Sequence, residues 1–95
     1  MATVKYYEMQ GWGGTIQPGQ TATWGTGVVP GNRTIFFSPI PVPLKAGELL
    51  PGTFQVETTR VWTALQPDGV HFHVEFKNVG NAAWNYRVFA TDIAP

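Results

Sequence analysis

The sequence predicts an all-β fold: a single antiparallel β-sandwich of six to seven short strands, with a small barrel as the alternative closure. Three observations carry this. No segment keeps a helical period, because 8 prolines and 11 glycines break up only 95 residues. Turn dipeptides recur at close intervals. The stretch VHFHVEFK (70–77) alternates apolar and polar residues without a fault, as a strand with one dry and one wet face must.

The bulk composition sets limits. A chain of 95 residues makes one domain, 1–95. With 0 cysteines, neither disulfides nor a cysteine metal site can staple it. Six basic residues balance six acidic ones, which argues against nucleic acid and against an anionic membrane surface. No apolar run is long enough to span a bilayer as a helix. MATVKYYEM lacks the pattern of a signal peptide. Both a secreted and a cytoplasmic home stay open.

The strands follow in order. Candidate strands lie at about 3–9, 20–25, 33–38, 53–65, 69–77 and 83–93. Pro18-Gly19, Pro30-Gly31 and Pro51-Gly52 suit the centre of type II turns, and Pro67-Asp68-Gly69 and NVGN (78–81) add two more. In SPIPVPLKAG (38–47), alternate prolines exclude a sheet centre. An edge or a crossover is expected there. In TFQVETTRVWTAL the inward set Phe54, Val56 must give way to Val61, Leu65. A β-bulge near Thr58-Thr59 makes that switch and turns Trp62 outward beside Arg60.

The last two strands read as a hairpin around Gly80. Residues summing to 160 then pair: Phe76 with Trp84, Val74 with Tyr86, Phe72 with Val88. His73 would oppose Arg87, and Glu75 would reach Arg87 diagonally. A slip by one residue would bury Arg87, so the inward parity is strongly specified.

FHVEFKNVGNAAWNYRVF resembles the V-x-V-x-N-x-G turn-and-strand pattern of bacterial immunoglobulin-like sandwich domains, including the cell-adhesion-related type. TIQPGQTATW resembles a strand entry of the same group. The resemblance covers about thirty of the 95 residues and implies an Ig-like sandwich, without reaching to function.

Few residues invite chemistry. His71-x-His73-x-Glu75 puts two imidazoles and a carboxylate on one strand face, where they could meet a metal. It resembles the cupin H-x-H…E pattern, but the glutamate is too close and a third histidine is missing. Ser38 is the only serine and sits in no glycine-rich elbow. A non-enzymatic protein without a cofactor is expected.

The aromatics remain. Carbohydrate recognition needs flat apolar rings for sugar faces and polar side chains for hydroxyls. Trp24 shares a face with Ala22 and reads as core; Trp84 reads as core near a rim. Trp12, in GWGG, is either exposed or plugs an end of the sandwich. The expected glycan-binding set is Trp12, Trp62, Arg60, Tyr7, Asn85 and Arg87. Phe89 and one of Tyr6 and Tyr7 also face out. The alternative expectation is therefore self-association as a homo-oligomer, in a structural, assembly or adhesion role.

Overall fold

The computed structural model describes all 95 residues. Six strands form: β1 (Thr3–Ile16), β2 (Thr21–Gly25), β3 (Thr34–Pro41), β4 (Val56–Gln66), β5 (Gly69–Asn78) and β6 (Trp84–Ala94). They make two antiparallel sheets and no closed barrel. Sheet A has the order β1-β6-β3, and sheet B the order β2-β5-β4. The core lies between them, with Val74 and Phe76 of β5 facing Tyr86, Val88 and Ala90 of β6.

Parity decides which side chains enter. On β5, Phe72, Val74 and Phe76 are buried. On β6 the buried side chains are Tyr86, Val88, Ala90 and Asp92. Alternation alone predicts both sets. Pro39 and Pro41 lie on β3, an edge strand, where a missing N–H costs no ladder bond. The register of β4 shifts between Thr58 and Arg60, so the bulge falls where the apolar pattern changes parity.

The structure corrects one expectation. β5 and β6 do not pair; they belong to different sheets. Residues 78–83 cross the sandwich as an arch. Asn78 explains why. Its side chain is fully buried, donates to the carbonyls of Ile16 and Ala82, and accepts from the Gly80 N–H. The arch backbone bonds other segments: Val79 N–H reaches the Gln55 carbonyl, and Asn81 and Ala82 both reach Thr53. A Cβ on Gly80 would overlap the Thr53 carbonyl. A hairpin would forgo the bond to Ile16 and the backbone bonds to Thr53 and Gln55. The expected Arg87 contacts with His73 and Glu75 therefore do not form.

Strand β1 is longer than its alternating residues suggest. Its register against β6 jumps between Glu8 and Gly13. Gly11, Gly13 and Gly14 there have φ of 81°, 110° and 123°, which side-chain-bearing residues rarely adopt. This wide bulge swings Met9 and Trp12 against the core.

Candidate functional site

The two outer faces of the sandwich differ chemically. On sheet B the outward rows are Thr21, Lys77 and Glu57, then Thr23, Glu75 and Arg60, then Gly25, His73 and Trp62. Thr59, in the bulge, donates to the Glu75 carboxylate at 2.9 Å. The Trp62 and His73 rings stack at 5.1 Å, and the Arg60 guanidinium lies 4.3 Å from the Trp62 ring centre. His71 stacks on His73 at 6.4 Å. His71 also faces Asp68 at 2.8 Å and the Thr26 carbonyl at 3.1 Å. The hydrogen bond to Asp68 raises the His71 pKa above its usual value, aided by the Thr26 carbonyl. Asp68 is lowered in return, chiefly by its bond to His71.

His71, His73 and Glu75 share this face as parity requires. His71 is committed to Asp68 and Thr26, and Glu75 to Thr59. No group of three or more His, Cys, Asp or Glu side chains is disposed to hold a metal ion.

Sheet A presents the opposite chemistry. Its outward rows are Val4, Ile93 and Thr34, then Tyr6, Thr91 and Phe36, then Glu8, Phe89 and Ser38. Ile40 and Arg87 continue the face. Tyr6 is 63% exposed, Phe36 57% and Val4 62%. The Tyr6 and Phe89 rings stack at 5.4 Å, nearly parallel at 6°. The charged groups here are Glu8 and Arg87, 3.9 Å apart. A shallow hollow of about 160 Å³, lined by Ile40, Pro41, Val42, Pro43, Arg87 and Phe89, extends the face at one end.

The expected binding residues divide among separate places. Trp12 lies in the bulge, half-buried, stacked on Trp24 at 5.7 Å and against Phe37 at 5.2 Å. Of the two outcomes for Trp12, the structure has the plug. Trp62 and Arg60 sit together on sheet B. Tyr7 points between the sheets and donates to Asp92 at 3.0 Å, so Tyr6 is the tyrosine that faces out. Asn85 and Arg87 are on the outer side of sheet A, where Asn85 bonds the Thr15 hydroxyl. Trp84 donates its indole N–H to the Val42 carbonyl at 2.7 Å, at the rim.

One constellation escaped the sequence reading. Asp92 is 2% exposed and held by Arg33 through two nitrogens, with Tyr7 as a third donor. Arg33 depresses the Asp92 pKa, against the opposing effect of burial. Burial raises the Tyr7 pKa first, and its bond to Asp92 raises it further. The signal was present, since Asp92 continues the inward series 86, 88, 90, and a buried carboxylate requires a partner.

In comparisons with known proteins, no family model, no curated protein and no solved structure matches the chain.

Proposed function

We propose that this protein is a non-enzymatic assembly subunit that associates with copies of itself through the outer face of sheet A. The apolar side chains Val4, Tyr6, Phe36, Ile40, Phe89 and Ile93, gathered on one face, carry this reading. Three strands ~4.8 Å apart and about six residues long present a face of roughly 300 Å², comparable to the largest apolar patch of a typical monomer, a patch that is often functional. Glu8 and Arg87 offset each other at its margin, so two apposed copies meet no like-charge repulsion. Sheet B gathers its outward aromatic rings in one stack, Trp62 on His73 and His71, and spends its other outward positions mainly on Thr, Glu, Lys and Arg. A chain of net charge 0 adds little repulsion between copies.

Light scattering behind size exclusion tests this. Association should rise with concentration, and the double variant Tyr6→Ser, Phe36→Ser should weaken it while leaving the fold intact. A wild type that stays monomeric at millimolar concentration overturns the reading.

A second reading keeps glycan binding but moves it to the same face. The stacked Tyr6 and Phe89 rings share that face with Arg87 and, farther along β6, Asn85, which could address hydroxyls. The three aliphatic residues of the face favour a protein contact over a sugar. A glycan array with no saccharide response, or a response unchanged in Tyr6→Ala, would sink this second reading.

Immunoglobulin-like connectivity is part of the proposal. β2, β5 and β4, with a β4–β5 hairpin, follow the order of strands B, E and D, and β3 and β6 follow C and F. β1 occupies the place of strand G beside F. An experimental structure whose β2 to β6 fail to superpose on an immunoglobulin domain would reject it.

A further inference from the structure

The four sheet edges are not equally protected. β3 carries Pro39 and Pro41 on its edge, β1 has its glycine bulge, and β2 is only 5 residues long. Such devices discourage edge pairing. β4 between Arg60 and Gln66, RVWTALQ, has no proline, glycine or lysine and one charge. It pairs with β5 on one side alone.

The backbone direction of β4 follows from β5. Phe72 donates its N–H to the Thr26 hydroxyl at 3.1 Å, and its carbonyl accepts from the Thr26 N–H at 2.9 Å. The Val70 carbonyl accepts from Val29 at 2.9 Å. Residues 70 and 72 therefore face the β2 side. His71 and His73 face β4, opposite Ala64 and Trp62. The alternate residues Val61, Thr63 and Leu65 then turn their N–H and C=O groups away from the sheet, unpaired. Their side chains share the inner face, but sheet A does not cover them: Val61 is 61% exposed and Leu65 83%.

We propose that β4 pairs antiparallel with β4 of a second copy about a twofold axis at Thr63, joining the two B sheets into one. In this register Thr63 opposes Thr63 of the other copy, and Val61 opposes Leu65. Each pair exchanges both of its outward backbone bonds. Side chains match as well. Val61 and Leu65 cover each other, the large Trp62 meets the small Ala64, and Arg60 meets Gln66 without charge conflict. Other centres fail. Centring on Leu65 sets Thr63 against Pro67, which has no N–H. Centring on Val61 runs Leu65 into the bulged segment around Glu57 and Thr58. The occupant that the edge fits is a second copy of this chain. The inference does not rest on the sheet A reading, because it uses another surface.

The absence of native cysteine makes the test direct. Thr63→Cys should be joined into a covalent dimer by a short bifunctional thiol reagent, since directly opposed Cβ atoms lie about 5 Å apart. Val61→Cys should not, because the two copies of residue 61 would be separated by roughly 13 Å along the strands. Leu65→Lys alters an exposed side chain and should weaken the dimer at least tenfold with unchanged circular dichroism. The crosslink should persist in the Tyr6→Ser, Phe36→Ser background. No crosslink at 63, or equal crosslinking at 61 and 63, overturns the edge proposal. Identical size distributions for wild type and the Tyr6→Ser, Phe36→Ser variant overturn the sheet A reading and leave the edge result standing.

Discussion

The indole N–H of Trp24 donates to the hydroxyl of Tyr86 at 2.9 Å, tying sheet B to sheet A through side chains. Tyr86 also meets Phe76 edge-on at 5.8 Å, and Trp24 stacks on Trp12. Burial raises the Tyr86 pKa, against the opposing effect of the Trp24 bond. Tyr86→Phe keeps the ring contacts and leaves the indole N–H without its partner. It should cost about 1–2 kcal/mol in chemical denaturation. A double-mutant cycle with Trp24→Phe should return a coupling of roughly 1 kcal/mol; strict additivity would show that the bond contributes nothing.

Gly13 is the least replaceable residue of the β1 bulge. Its φ is 110°, and a Cβ there would overlap the Tyr86 carbonyl oxygen. Gly13→Ala should lose on the order of 3 kcal/mol, combining backbone strain with a displaced strand. Gly14→Ala meets no neighbouring atom and suffers the backbone cost alone. Thermal melts of the two variants should rank Gly13→Ala clearly lower. Equal melting temperatures would contradict the close approach of β1 to β6.

Asn78→Ala removes the side chain that holds the arch. It leaves the carbonyls of Ile16 and Ala82 and the N–H of Gly80 short of a partner. The expected loss is about 2–4 kcal/mol. Asn78→Asp should not rescue it, because a carboxylate turned toward two carbonyl oxygens is repelled. Stability unchanged in both variants would mean that the arch does not depend on Asn78.

Two groups give stability a defined pH dependence. The folded pKa of His71 is raised above 6.5, first by its bond to Asp68. Its contribution is complete below about pH 6.5 and fades as pH rises through the higher folded value. The folded pKa of Asp92 is depressed, first by Arg33. Its contribution is present above about pH 3.9 and fades as pH falls through the lower folded value. Urea midpoints should therefore peak between these limits. Asp68→Asn should flatten the alkaline side and lower the His71 titration midpoint seen by NMR. A His71 midpoint unmoved by Asp68→Asn would refute the coupling.

Much of this architecture was legible residue by residue. VHFHVEFK and WNYRVFATD declare their buried faces by alternation, and that parity holds in the folded chain. Pro39 and Pro41 announce an edge. The switch from Val56 to Val61 announces a bulge. The candidate surfaces were less legible. Phe36 faces out between Ile35 and Phe37, and simple alternation in TIFF contains that information. Asp92 sits on the inward parity of β6 and so implies a partner, but nothing near it in the chain identifies Arg33.

What the sequence determined alone is local: the strands and the face of each strand that turns inward, but not every turn, since Gly52 lacks the positive φ of a type II turn and NVGN is an arch. Only the tertiary structure decided which strands pair and where Trp12 goes. The reason is that alternation with period 2 assigns a side chain to a face and is blind to the neighbour across the ladder. A hairpin and an arch after Asn78 satisfy the same parity. They differ in hydrogen bonds to Ile16, Thr53 and Gln55, all distant in the chain. Trp12 likewise has no period to follow in GWGG. Its place was settled by the space between Trp24 and Phe37, which exists only when the two sheets have closed.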